Sequence, residues 1–209
     1  AQLYLQDIMN EILKSSEVRY EEEFSYQVKI INKGDIVNAF ALPGGYVYVY
    51  TGLLKFLDNE AALASVVAHE IAHAERRHAT KRMTKYYGVQ VLLGLVLGQD
   101  PTLLEEVAAN LLTGLGFLYN SREDEYEADE FAFKYMLSTK CYPGAMTYFF
   151  DKVKSNKDAG FLQELLSTHP LPQQRIDAVE ELINEYSIAQ PTEANLFSQR
   201  YSQFKATLP

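Results

Sequence analysis

The chain has 209 residues, of which 47% are apolar and 22% charged, and this composition fits one folded domain with a substantial core. Its formal net charge of -9, with no cluster of Lys and Arg, argues against binding to nucleic-acid phosphates. Because Cys141 is the one cysteine, an internal disulfide and a thiolate metal cage are excluded, and we expect a packed thiol.

The chain begins with Ala1 rather than Met, so we expect that a targeting segment has been removed. Its longest apolar stretch, residues 89–97, is interrupted by Gln90 and Gly94. That stretch is far shorter than the roughly 20 residues that a membrane-spanning helix needs. We therefore expect no spanning segment, although residues 88–118 could contact a membrane peripherally.

Hydrophobic periodicity predicts an α+β chain that is predominantly helical, with a small sheet near its beginning. Residues 24–31 and 37–42 have strand composition, and residues 46–50 alternate tyrosine and valine with a period of two. A Pro-Gly-Gly turn joins the last two strands. Helices are predicted over residues 3–14, 60–86, 101–113, 121–138, 143–156, 161–166 and 173–186.

The predicted helix over residues 60–86 contains two histidines and a glutamate with metal-site spacing. His69 and His73 are about 40° apart around a helix, so both imidazoles can point to one ion. Glu70 is about 100° from His69, close enough to hold a water molecule on that ion without being a ligand. The surrounding residues are apolar, and buried ionisable groups need partners. The pattern therefore predicts a metal site.

A catalytic zinc site needs a third protein ligand and an open position. The HExxHxxGxxH extension is absent, because Arg76 and Ala79 stand where Gly and His are required. On a continuous helix His78 would point about 140° away from His73, so we expect it at the surface or behind the ligands.

The acidic segment 121–129 offers a better third ligand. On a helix Glu125 and Asp129 share a face, so Glu125 could bind the ion while Asp129 accepts the free N–H of a metal-bound histidine. We expect Glu123 and Asp124 only to complement the helix dipole.

Four segments resemble the HtpX-like and CAAX-prenyl-endopeptidase-like zinc metallopeptidases, a gluzincin family. The resemblance implies one zinc ion bound by His69, His73 and Glu125. It also implies that Glu70 is the catalytic base and that Asp129 supports a ligand from behind. The four segments are NAFALPGGYVYVYTGLL at 38–54, HEIAH at 69–73, SREDEYEAD at 121–129 and THPLPQQRI at 168–176.

The same resemblance implies a zincin core with a sheet edge that binds substrate. Asn38, Ala39 and Phe40 match the edge strand, whose backbone would pair with an extended peptide. His169 matches a loop position near the metal, where it could stabilise the oxyanion or fill the open coordination position and keep the enzyme inactive. Arg175 could position either that loop or a substrate carbonyl.

The predicted function is zinc-dependent hydrolysis of peptide bonds in extended or unfolded proteins, and the alternative is a latent, chaperone-like module that holds peptides. Resemblance to the soluble envelope members implies a periplasmic place, outer-membrane protein quality control, and envelope assembly proteins or a helical-repeat domain as partners. We expect one domain over residues 1–187. Residues 88–118 could be a lid over the cleft or simply two packed helices, and residues 188–209 form a tail that could lead to a further domain.

Overall fold

The computed structural model describes residues 1–85, 120–156, 158, 160–171 and 173–209. The predicted lid over residues 88–118 and the predicted helix over 101–113 lie outside these residues. Within the described part, none of the helices has both the length and the apolar character needed to cross a bilayer.

The described residues confirm the prediction of a predominantly helical α+β fold, and a further helical stretch covers residues 78–85. The elements, in chain order, are α1 (Gln2–Leu13), β1 (Gln27–Ile31), β2 (Ala39–Leu42), β3 (Tyr46–Tyr50), α2 (Thr51–Phe56), α3 (Glu60–Glu75), α4 (Arg122–Met136), α5 (Met146–Ser155), α6 (Gln163–Thr168), α7 (Gln173–Glu185), α8 (Glu193–Leu196) and α9 (Ser198–Lys205).

The three strands form a mixed sheet in the order β1-β3-β2, with β1 parallel and β2 antiparallel to β3. The alternation in β3 has a physical basis, because Val47 and Val49 are fully buried while the tyrosines of that strand are half-buried on the opposite face. Among the described residues β2 pairs on one side only, so its other side is a sheet edge.

Three glycines hold the edge strand in place. Gly44 and Gly45 both have φ of 91°, which is the left-handed region that the tight turn between β2 and β3 requires. Gly52, in α2, lies against the backbone that leads into β2, since a Cβ there would be 2.1 Å from the carbonyl oxygen of Ile36. The course of the chain into β2 therefore depends on the absence of a side chain at position 52.

Helix α3 is the centre of the molecule, and all 16 of its residues are buried. Asn59 begins it, with a side-chain oxygen that accepts a hydrogen bond from the Ala62 N–H at 2.8 Å. The helix packs against the sheet, α1, α4 and α5. A helix covered on all sides carries apolar residues all round, which explains the weak amphipathicity of its sequence.

The predicted continuous helix over residues 60–86 was wrong. Helix α3 ends at Glu75, and Arg77 then takes a left-handed conformation with φ of 57° before the helical stretch 78–85 begins. Tertiary contacts hold this break, because the Arg77 guanidinium lies 4.3 Å from the ring centre of Tyr20 and Glu75 accepts the Tyr20 N–H at 3.1 Å. The chain direction changes here, so the angle that we expected for His78 does not apply.

Residues 188–209 include two short helices that pack on the body of the domain. The Tyr201 hydroxyl donates to the Leu54 carbonyl at 2.7 Å, and the ring of Phe204 stacks on that of Tyr4 with 4.1 Å between centres. This segment thus covers part of α1 and α2.

Candidate metal centre

Helices α3 and α4 bring the three predicted zinc ligands together. The Nε2 atoms of His69 and His73 are 2.9 Å apart. Glu125 is fully buried, with Oε2 3.4 Å from His69 Nε2 and Oε1 3.2 Å from His73 Nε2. Together with His169, these residues offer ligand atoms that all lie within 4.8 Å of one another.

The donor chemistry of this cluster fits a divalent cation. Burial would raise the pKa of Glu125, but the adjacent His169 and Arg175 hold that pKa well below its usual range. Burial would lower the pKa of His69, yet the Glu125 and Asp129 carboxylates raise it to about 10. The cluster thus favours a positive charge between its donors, and two imidazoles with a carboxylate are a ligand set that catalytic zinc takes.

The buried carboxylate of Glu125 gives a second sign of this fit. Its Oε2 atom receives no well-aligned hydrogen bond, although the Arg175 guanidinium lies beside it.

Burial lowers the pKa of His73 well below its ordinary value, and the neighbouring His69 adds to this effect. His73 therefore stays neutral, with a lone pair available on one ring nitrogen.

Asp129 and Arg175 support the cluster from behind. Asp129 Oδ1 lies 2.8 Å from His69 Nδ1. Arg175 donates to both Asp129 oxygens, from Nε at 2.7 Å and from Nη2 at 2.8 Å. Its Nη1 donates to the carbonyl of Pro170 at 2.9 Å. Arg175 thus ties the 169–171 loop to α4, while the predicted contact with a substrate carbonyl stays a prediction.

Glu70 and His169 lie on the side of the cluster that faces an apolar pocket. His169 Nδ1 is 3.0 Å from Glu125 Oε1, and its Nε2 is 3.7 Å from Glu70 Oε1. Burial raises the pKa of Glu70, which is 2% exposed. The structure therefore places the loop histidine beside both the proposed base and a proposed ligand.

The predicted substrate strand borders this side of the cluster. The carbonyl oxygen of Ala39 lies 3.2 Å from His169 Nε2. Asn38 is buried, and its Oδ1 accepts from the backbone N–H of Ala39 at 2.9 Å. The Phe40 ring instead stacks on Tyr48 on the outer face of the sheet, with 5.0 Å between centres. Of the three predicted residues, Ala39 is thus the one whose backbone touches the cluster.

An apolar pocket adjoins Glu70 and His169. It is narrow, with about 20 Å³ of space for the centre of a water molecule. Half of its other lining residues come from α5 and α6, and the apolar ones in the lining include Leu53, Val66, Phe149, Phe150, Val153 and Leu165.

The sequence analysis missed Asn120. Its Nδ2 lies 3.4 Å from His73 Nε2 and 3.3 Å from His169 Nδ1, and its N–H donates to the Thr168 carbonyl at 3.1 Å. Asn120 directly precedes Ser121, which caps α4. The one feature of the sequence that could have indicated Asn120 is its position just before the acidic helix. Its contacts with Thr168 and His169 depend on the fold.

Of the two places expected for His78, the surface or behind the ligands, the structure shows the second, and the residue is fully buried. Its Nδ1 lies 2.7 Å from His73 Nδ1, and its Nε2 lies 2.9 Å from Glu127 Oε2. Asp124, which we expected only to complement the helix dipole, also forms a capping box with Ser121 and an ion pair with Arg82 at 3.0 Å.

Comparison with known proteins finds relatives among metalloendopeptidases and proteases. The chain is 37% identical over 157 residues to mitochondrial metalloendopeptidase OMA1 of Arabidopsis thaliana. The aligned region covers 74% of this chain and 31% of that protein. It is 29% identical over 161 residues to beta-barrel assembly-enhancing protease of Escherichia coli (strain K12), covering 72% and 33% respectively. It is 28% identical over 193 residues to OMA1 of Schizosaccharomyces pombe, covering 91% and 55%.

The chain spans about a third of the length of the first two relatives. Residues 1–183 match the profile of the family described as Peptidase family M48. This match includes all the site residues described above. On that evidence, the chain belongs to peptidase family M48, a family of metallopeptidases.

Proposed function

We propose that this chain is a zinc-dependent endopeptidase that binds one Zn²⁺ through His69, His73 and Glu125. The observation that carries the proposal is the convergence of two α3 imidazoles and one α4 carboxylate within 3.4 Å of one another. When bound, zinc supplies a Lewis acid that polarises a carbonyl and lowers the pKa of water. Proton transfer and the binding of the substrate are left to residues of the protein.

Glu70 is the proposed general base. It follows His69 on α3, so it borders the zinc position without being among the converging donors. Its carboxylate takes a proton from the attacking water and passes it to the leaving amine. Because burial raises the pKa of Glu70, the group is better matched to proton transfer near neutral pH than an exposed carboxylate.

The substrate we propose is an extended or unfolded polypeptide. The outer edge of β2, which pairs with no other strand among the described residues, can pair with such a chain through backbone hydrogen bonds, which read sequence loosely. The pocket beside Glu70 is lined mainly by apolar side chains, so it favours an apolar substrate residue next to the cleaved bond. Because its volume is small, we propose that the 169–171 loop, which lines it through His169 and Leu171, moves before a side chain enters.

His169 supports a second candidate function, a latent module that holds peptides without steady cleavage. The ring lies against Ala39, Glu70 and Glu125, and it is near enough to join the ligands of the ion. In that arrangement it fills the position that substrate and water need. The two functions differ in whether the purified chain turns over substrate continuously.

We infer that the natural role lies in protein quality control at the bacterial envelope, with the periplasm as the place. The similarity to beta-barrel assembly-enhancing protease supports this inference, and the similarity to mitochondrial OMA1 proteins supports an organellar alternative. Envelope assembly proteins or a helical-repeat domain are the partners that we propose.

The deciding experiment compares the wild-type chain with Glu70→Gln in zinc content and in hydrolysis of casein. We expect one zinc per chain in both proteins and a loss of about 10²-fold or more in the variant. Glu130→Gln is the matched control, because Glu130 lies on the outer side of α4 and pairs only with Lys134 among the described residues. Cleavage by Glu70→Gln at the wild-type rate would falsify the assignment of the base. Wild type with zinc but without turnover favours the latent module.

A further inference from the structure

The two histidines proposed as zinc ligands are held from behind in different ways. His69 has a carboxylate directly behind it, since its Nδ1 lies 2.8 Å from Asp129 Oδ1. His73 instead has another histidine behind it, with 2.7 Å between its Nδ1 and the Nδ1 of His78. A carboxylate lies behind His78, since His78 Nε2 is 2.9 Å from Glu127 Oε2. His73, His78 and Glu127 thus form a hydrogen-bonded series of two imidazoles and one carboxylate.

These contacts allow one consistent arrangement of protons. A His73 that offers Nε2 to the ion carries its proton on Nδ1, which then donates to His78 Nδ1. His78 must in turn carry its own proton on Nε2, where Glu127 accepts it. In this series of three side chains each ring N–H has an acceptor. The tautomer of His73 is fixed by His78, and that of His78 by Glu127.

The outer end of this series is anchored. Arg76 Nε donates to Glu127 Oε1 at 2.8 Å, and the guanidinium lies 4.4 Å from the ring centre of Phe131. His78 is fully buried, so water does not compete for its ring nitrogens. The left-handed turn at Arg77 carries the chain from α3 back toward His73. The break in the helix thus places His78 behind His73, where its buried ring nitrogen can accept a hydrogen bond.

We propose that His78 is a positioning residue for His73, acting together with Glu127. It fixes the tautomer and ring orientation of His73 and increases the basicity of the nitrogen that faces the ion. The inference rests on the proposed zinc site. A purely structural His78 would matter for folding stability, whereas a positioning His78 also sets the affinity for zinc.

The experiment measures the affinity for Zn²⁺ alone, by competition with a chromophoric chelator, in His78→Leu and His78→Asn. Leucine has a similar volume but cannot accept a hydrogen bond, whereas the asparagine amide oxygen can stand near the position of Nδ1. We expect leucine to weaken zinc binding roughly 10- to 100-fold and asparagine to restore part of the loss. The visible spectrum of the Co²⁺-loaded protein should shift in His78→Leu and stay unchanged in the surface control Glu130→Gln.

The outcomes separate the two proposals. A wild-type chain that binds no zinc overturns the proposed function and this inference with it. A wild-type chain that binds zinc, with His78→Leu equal to it within about twofold, overturns this inference alone. If His78→Leu does not fold, Glu127→Gln decides, because the amide keeps one oxygen where Arg76 and His78 now face two different carboxylate oxygens. We then expect a loss of several-fold, and an unchanged affinity in both Glu127→Gln and His78→Asn refutes the positioning role.

Discussion

The imidazole Nε2 of His169 lies 3.2 Å from the carbonyl oxygen of Ala39, the first residue of the edge strand β2. That carbonyl is a backbone acceptor on the strand proposed to pair with substrate. The same ring is 3.0 Å from Glu125 through Nδ1. One side chain therefore bridges the proposed peptide-binding edge and the proposed metal ligands, and a peptide that paired with this edge would have to displace it.

The first prediction concerns this bridge. We expect His169→Ala to raise kcat/KM for an unstructured peptide by several-fold, because the Ala39 carbonyl and the side of the cluster that faces the pocket become accessible. Initial rates with a quenched fluorescent peptide measure the effect. Ser167→Ala is the control, since the Ser167 hydroxyl is exposed and donates to the Glu164 carbonyl within the same helix. A fall of about 10²-fold in His169→Ala would instead mean that His169 acts in catalysis.

The second prediction concerns removal of the metal. We expect the chelated protein to melt at a lower temperature, and added Zn²⁺ to stabilise it by about 2.7 kcal/mol at 100 times Kd. The reason is that a cation offsets the mutual repulsion and desolvation of the buried donors. Differential scanning calorimetry against zinc concentration measures it.

Mg²⁺ at the same concentration is the control for this titration, because it prefers oxygen ligands in octahedral geometry. Glu125→Gln should lose most of the zinc-dependent shift. A melting temperature that does not change with zinc would contradict the proposed site.

The third prediction concerns Arg175, which holds both oxygens of Asp129 in a buried environment. We expect Arg175→Met to lower the free energy of unfolding by about 3–5 kcal/mol, because the Asp129 carboxylate loses its main partner. Urea unfolding measures the change. Lys134→Met removes a surface ion pair with Glu130 and should cost less than about 1 kcal/mol. Equal stability of the two variants would show that the buried pair is not needed.

The fourth prediction concerns the approach of α2 to the chain that leads into β2. A Cβ at Gly52 would lie 2.1 Å from the Ile36 carbonyl oxygen and 2.9 Å from that of Gly34, and neither backbone group can easily move. We expect Gly52→Ala to destabilise the protein by about 1–3 kcal/mol. Gly34→Ala is the matched control, because its nearest neighbour is the flexible end of Lys55 at 3.6 Å. Thermal unfolding of both variants provides the test, and equal melting temperatures would contradict it.

The sequence by itself determined the features that depend on local spacing. Two histidines at i and i+4 must share a helix face, and so must Glu125 and Asp129, whatever the rest of the chain does. The alternation in β3 likewise predicted a strand with one buried face, because side chains on a strand point to opposite sides in turn. These rules need only the geometry of one element.

Tertiary structure alone decided what stands behind and beside those residues. Arg77 adopts a left-handed conformation that an arginine does not favour, and contacts with residues over 50 positions away hold the chain there. That turn, invisible in the sequence, brings His78 onto His73. Asn120 and His169 meet only because the fold joins distant segments. Local periodicity holds no information on such contacts, since their free energy comes from packing between elements.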